Sequence, residues 1–209
     1  MLCNNCAMEP TGLREQKKQR TRRALIEAAL RLFDDKGYEG ATVAEIAAAA
    51  EVSPATFFNY FPAKDAVVFA DDDLYDPLVR EAFDATEAGQ TPVETLLRVV
   101  DHLTRAPRWS FPLDHDLTAV RARLLAEVPA LQAGALRRRA DLQRRLAAEL
   151  GCAHPDLTPL HAAALTGAVL GAVDAVLTAL SRTSEPTPPE EIPDVVAAAA
   201  RLAVGGYPS

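Results

Sequence analysis

The chain of 209 residues is short of what a secreted, metal-dependent or β-rich protein needs. Its three cysteines are Cys3 and Cys6, in a lone CxxC, and the distant Cys152. With no second pair, neither a zinc site nor a disulfide framework is indicated, and reduced thiols in a cytoplasm are expected. The opening MLCNNCAMEPTG has no basic region leading into an apolar run, so no signal peptide is expected, and residues 1–12 read as a disordered leader. No convincing run alternates as a half-buried strand would, which leaves helices. His102, His115, His154 and His161 show no ligand spacing such as i, i+4, so no metal is expected, and no catalytic triad can be assembled. Positive charge is also scarce: 22 Lys and Arg stand against 29 Asp and Glu, a net charge of −7. Any attraction to nucleic acid must therefore be local. What remains, 49% hydrophobic and 24% charged, is the composition of a globular protein of one large or two modest domains.

The local positive charge lies near the start. Arg14 to Arg31 holds Arg14, Lys17, Lys18, Arg20, Arg22, Arg23 and Arg31 against Glu15 and Glu27. Such a block on an acidic chain suits phosphate binding, because counterion release acts locally; it also suits a solvated helix face, since Leu25, Ala28, Ala29, Leu32 and Phe33 form an apolar stripe ended by Gly37. The segment Thr42 to Lys64, TVAEIAAAAEVSPATFFNYFPAK, then encodes two short helices joined by a tight turn. Thr42 and Glu45 make a capping box, and Val43, Ile46, Ala47 and Ala50 are spaced to bury one face. Ser53 and Pro54 form a second helix start, and Pro62 a stop. Phe57 and Phe61 should face the core with Val52, leaving Ala55, Thr56, Asn59 and Tyr60 directed outward. That small, polar and aromatic face suits a major groove, with Lys64 just beyond it at a phosphate. A structural hairpin whose polar face meets only water is the alternative.

RALIEAALRLFDDKGYEGATVAEIAAAAEVSPATFFNYFPAKDAVV resembles the N-terminal domain of the TetR family of bacterial transcription regulators. The resemblance covers about a quarter of the chain. It implies an all-α protein: a three-helix DNA-binding domain, a helical regulatory domain, a homodimer, and repression relieved by a small molecule. Carried over by position, it makes Thr42, Ser53, Tyr60 and Lys64 phosphate contacts, and places Pro54, Ala55, Thr56 and Asn59 nearest the bases. Family members commonly have Tyr where this chain has Phe58, which leaves that position van der Waals contact alone. Pro54 and Ala55 offer no side-chain donors, so readout falls on Thr56, Asn59 and DNA shape. The wording FFNYFPAKDAVVF further resembles a subgroup that includes mycofactocin-type regulators, for which it implies acyl-thioester effectors.

The expected division is a leader (1–12), a helix-turn-helix domain (13–62) and an effector-binding and dimerisation domain (63–209). In the last, a helix is expected from Ala63 through the Asp71 region, with a break at Asp76-Pro77 and a continuation to Ala85. Thr91 and Glu94 form another capping box, opening a helix to about Arg105, followed by a loop from Pro107 to Asp116. Helices follow near Leu117–Ala126, Ala130–Leu150 (ended by Gly151), Leu160–Leu180 and Pro193–Val204. Leu160–Leu180 is long enough to cross a bilayer, but Asp174 near its centre would cost about 3 kcal/mol in lipid, and Thr158-Pro159 is a cap typical of soluble helices. Its small residues Ala164, Gly167, Ala168, Gly171 and Ala175, with Val196 on the final helix, are instead expected at a dimer interface, which lets two heads read a palindrome about 34 Å apart. Arg137–Arg139 and Arg144-Arg145 read as a solvated face.

Candidate effector residues are Phe83, His102, Trp109, Phe111 and Asp174, chosen for bulk or polarity in the body. No cofactor is expected. Two other functions stay open: a DNA-binding activator, and a magnesium-dependent isoprenoid-diphosphate enzyme, because Asp72, Asp73 and Asp76 spell DDxxD, against which stands a merely solvated acidic face.

Overall fold

The computed structural model describes residues 10–106, 116–180, 183 and 187–205. Every regular element among them is helical. The chain divides into two compact units, Met1–Phe69 and Ala70–Ser209.

In the first unit, α1 (Pro10–Gly40) is interrupted at Gly37, whose φ of 75° and ψ of 159° lie outside helical space; a glycine is suited there because an L side chain is rarely tolerated at such φ. α2 (Val43–Ala49) and α3 (Pro54–Tyr60) follow. Both predicted starts are present. Thr42 accepts from the Glu45 backbone N–H while the Glu45 carboxylate accepts from the Thr42 N–H, and Ser53 accepts from the Thr56 N–H with Pro54 in the first turn. Before Pro62, Phe61 is extended (φ −137°, ψ 121°), as a residue preceding proline must tend to be, and α3 stops. The core takes Leu25, Ile26, Ala29, Leu30 and Phe33 from α1, Ile46 and Ala47 from α2, and Phe57 and Phe61 at α3. Val43, Ala50 and Val52, expected inside, sit half-buried at its margin, since two helices of seven residues each have a narrow buried stripe.

Between Phe61 and the second unit the expected helix from Ala63 is a single 3-10 turn, Asp65–Val67, and α4 (Asp72–Asp84) begins only at Asp72. It runs through Pro77, so the expected break at Asp76-Pro77 is absent. Pro77 lies early in the helix, where its missing N–H forfeits one bond to the fourth residue before it, while Leu78, Val79, Ala82 and Phe83 continue the buried stripe. α5 (Pro92–Arg105) opens with the predicted Thr91–Glu94 capping box. Then come α6 (Asp116–Glu127), α7 (Pro129–Ala153), α8 (Pro159–Leu180) and α9 (Ile192–Gly205). Gly151 does not end α7; the extra turn closes with the His154 N–H on the Leu150 carbonyl, and the His154 ring meets the hydroxyl of buried Thr95 at 2.9 Å.

Two apolar clusters hold this unit. One joins Leu78, Val79, Ala82 and Phe83 of α4 with Val99 and Leu103 of α5 and Leu146 and Leu150 of α7; the other joins Leu96, Val100, Val169, Val196 and Ala200 across α5, α8 and α9. Arginines fasten α4 at both ends. Asp71 pairs with Arg121 of α6 at 3.1 Å, Asp72 with Arg138 and Asp76 with Arg145 of α7, while Arg98 of α5 donates to the Ala82 carbonyl (2.7 Å) and the Thr86 hydroxyl (2.9 Å) at the other end. Acid at the helix start and guanidinium at its end both complement the helix dipole.

Candidate nucleic-acid interface

The DNA-reading candidate is α3. Phe57 (0% exposed) and Phe61 (2%) anchor it from beneath, their rings 5.7 Å apart, and Arg22 of α1 lies 4.8 Å over the Phe61 ring. The opposite side carries Pro54, Ala55, Phe58 and Asn59, all exposed, with Thr56 and Tyr60 half-buried beside them. Phe58 is 55% exposed and meets Phe57 edge to face at 5.5 Å, so a large apolar ring is held outward in a defined pose. The outward face is the one that helical periodicity predicts: Ala55, Thr56, Asn59 and Tyr60 share it with Pro54 and Phe58.

The caps occupy some of the same side chains. The Ser53 and Thr56 hydroxyls share a hydrogen bond at 2.9 Å, and the Thr42 hydroxyl donates to Glu45 at 2.8 Å. Asn59 has no such local duty, which leaves its amide the most available hydrogen-bonding group on the ridge. Arg23 is exposed on α1 and Arg22 half-buried.

The frame around α2 contains groups that motif spacing did not disclose. Lys36 of α1 donates to Glu45 at 2.7 Å, joining α1 to the capping box. That ammonium, with the Thr42 hydroxyl and N–H, holds the Glu45 carboxyl down at about 2. Lys64, expected at a phosphate, instead directs its ammonium to the carbonyls of Tyr38 (2.7 Å) and Ala41 (3.1 Å) and lies 4.3 Å over the Tyr38 ring. A lysine just past a recognition helix reads as a phosphate contact in one dimension; the carbonyls it meets are far away in sequence.

In the second unit the three described effector candidates lie in separate surroundings. Phe83 is part of the α4–α5–α7 core; His102 is exposed on α5, 4.0 Å from Glu81; Asp174 is exposed on α8 and paired with Arg139. Trp109 and Phe111 lie outside the described residues. Of the expected interface residues, Ala164, Ala168 and Ala175 are exposed on α8. Gly167 and Gly171 face α7 of the same chain, where added Cβ atoms would meet Gln143 at 3.0 Å and Arg139 at 3.8 Å, and Val196 is 1% exposed in the α8–α9 core. Val196 is an internal packing residue, while the two glycines are half-buried beside the flexible side-chain ends of α7.

The acidic motif is likewise committed. Asp72 and Asp76 pair with Arg138 and Arg145, whose guanidinium groups supply the positive charge that a magnesium ion would; the Asp73 side chain lies outside the described residues. Among the described residues no three His, Cys, Asp or Glu side chains gather as a metal site.

A three-helix head whose α3 is capped by Ser53 and exposed on its far side, followed by a body whose described elements are all helical, defines a helix-turn-helix protein. Residues 25–70 match the family pattern described as "Bacterial regulatory proteins, tetR family". The chain is 37% identical over 139 residues to the HTH-type transcriptional regulator TcmR of Streptomyces glaucescens, covering 65% of this chain and 61% of that protein. It spans less than two thirds of the length of the curated relatives it matches. Its fold is that of the fatty acid degradation regulator FadR from Bacillus halodurans (TM-score 0.61, 18% identity, 89% of this chain and 95% of that one). It is also that of Thermus thermophilus FadR, a TetR-family transcriptional repressor in complex with lauroyl-CoA (TM-score 0.55, 23% identity, 90% and 95%). The head of the chain, residues 25–70, is thus of the TetR-family type.

Proposed function

We propose that this chain is a cytoplasmic transcriptional repressor that binds a palindromic operator as a homodimer and is released by a small effector with an apolar tail. The observation that carries the reading is the exposed ridge Pro54, Ala55, Phe58 and Asn59 on a helix whose other side is locked by Phe57 and Phe61. In this reading α3 enters the major groove, Thr56 and Asn59 meet base edges, and Phe58 makes apolar contact, the thymine methyl being a suitable partner. Thr42, Ser53, Tyr60, Arg22 and Arg23 serve the phosphates.

The second copy is supported by α8. It is long and apolar enough to cross a membrane by length and composition, with mean hydropathy 1.8, yet only 11% of that apolar window is buried in one chain. Asp174 paired to Arg139 and the buried Ala162, Thr166 and Val169 tie it to the soluble body, so a partner helix is the favoured cover for Ala164, Ala168, Ala175 and Leu177. An effector that binds better to a conformation with wrongly spaced heads weakens DNA binding by the same factor that DNA weakens effector binding. Acyl-CoA is the first class to try, because the Thermus protein of the same fold holds lauroyl-CoA.

The test is selection of binding sites from random duplex DNA by the purified chain, repeated with acyl-CoA. Enrichment of an inverted repeat that acyl-CoA abolishes is the expected result. A protein that stays monomeric and enriches nothing at low salt overturns the reading. A reporter in a deletion strain separates repressor from activator, since loss of the gene raises expression only for a repressor.

A further inference from the structure

We propose that Lys64 is a positioning residue of the head, which tethers the end of the helix-turn-helix to the end of α1 and so sets how α3 is presented. The inference rests on reading the head as a DNA-binding unit.

The tether joins residues 23 and 26 positions apart: the Lys64 ammonium donates to the Ala41 and Tyr38 carbonyls. Tyr38 lies in the last turn of α1, past the break at Gly37, and Ala41 just follows it, where backbone carbonyls lack intrahelical donors. An ammonium there supplies the missing donors. The Tyr38 ring beneath it, 4.3 Å away, is itself set against buried Phe33 at 5.2 Å, so the cation sits on an anchored platform. Gly37, with φ of 75°, makes the change of direction that precedes Tyr38.

Between the two ends of this tether lie α2, the turn and α3. Phe57 and Phe61 fix α3 against the core from one side, and Ser53 caps its start. The tether adds a hold on the segment after Pro62. Two of the three N–H groups of the Lys64 ammonium are taken by these carbonyls, which leaves a phosphate at most one.

The full chain and its Lys64→Gln variant are compared on the duplex that wild type selects and on a scrambled duplex, across salt concentrations, at a temperature where circular dichroism shows both folded. The expected result is about a tenfold loss on the selected duplex, comparable to one lost base contact, with little change on the scrambled one and an unchanged salt slope. A phosphate contact would instead weaken both duplexes and lower the slope by about 1, which overturns the proposal. Unchanged affinity in a folded but less heat-stable variant also overturns it. Should Lys64→Gln fail to fold, Tyr38→Leu, which removes the platform and keeps the charge, should lose selectivity in the same direction; unaltered selectivity overturns the tether. If wild type selects no DNA, the DNA-binding reading fails, and the tether is decided by NMR of the Lys64 ammonium: slowly exchanging protons support it, and solvent-averaged ones overturn it.

Discussion

Replacing Asp71 by Asn should weaken the body far more than its position at a helix start would suggest. The Asp71 side chain is 4% exposed and receives Arg121, itself 24% exposed, at 3.1 Å; the Arg121 Nε is buried with no hydrogen-bond partner, so the guanidinium has little else to fall back on. Removing one member of a fully buried pair costs about 3–5 kcal/mol, because the other charge stays desolvated. The partial exposure of Arg121 lets water in, which lowers the expectation to about 2–3 kcal/mol. For a chain of this size that is a melting temperature lower by about 4–12 °C. Arg121→Met should also cost stability by taking a guanidinium from the Asp71 carboxylate, and the double variant should recover part of the summed loss, about 1 kcal/mol or more. Thermal and urea unfolding of the four proteins, followed by far-UV circular dichroism, reads the cycle. Costs that add within about 0.5 kcal/mol would mean that the two groups do not depend on each other, and the account of α4 as an arginine-fastened helix would fail.

Three further outcomes are expected. Glu45, held at about 2 by Lys36 and Thr42, has a lowered pKa, so its contribution to the head is present above its ordinary value of 4.5 and lost as pH falls through about 2; carbon NMR of the Glu45 carboxyl should show that low midpoint, and Lys36→Met should raise it. Gly37→Ala should destabilise by about 1–2 kcal/mol, since φ is 75° there, whereas Gly167→Ala should be neutral or stabilising by up to about 1 kcal/mol because the added methyl meets only the flexible end of Gln143; melting curves decide both. Asn59→Ala should change which duplexes are selected, while Tyr60→Ala should weaken all duplexes alike, read by repeating the selection with each variant.

Sequence alone determined the helical class, the two helix starts at Thr42 and Ser53, the capping box at Thr91, and the burial of Phe57 and Phe61. These follow from local rules: a side-chain oxygen satisfies an N–H three residues away, and a period of 3.6 residues assigns the faces. Local rules failed where a distant partner competes. Asp76-Pro77 reads as a helix start, yet α4 begins at Asp72, its aspartates held by Arg121, Arg138 and Arg145 from helices about fifty to seventy positions away. Gly151 reads as a cap, yet His154 finds Thr95 and the helix goes on. Val196 reads as an interface residue because nothing in a one-dimensional pattern says whether an apolar side chain faces its own chain or another. Lys64 is the plainest case: charge and position are visible in the sequence, but whether an ammonium meets carbonyls or phosphate depends on where the chain folds back, which only the tertiary structure decides.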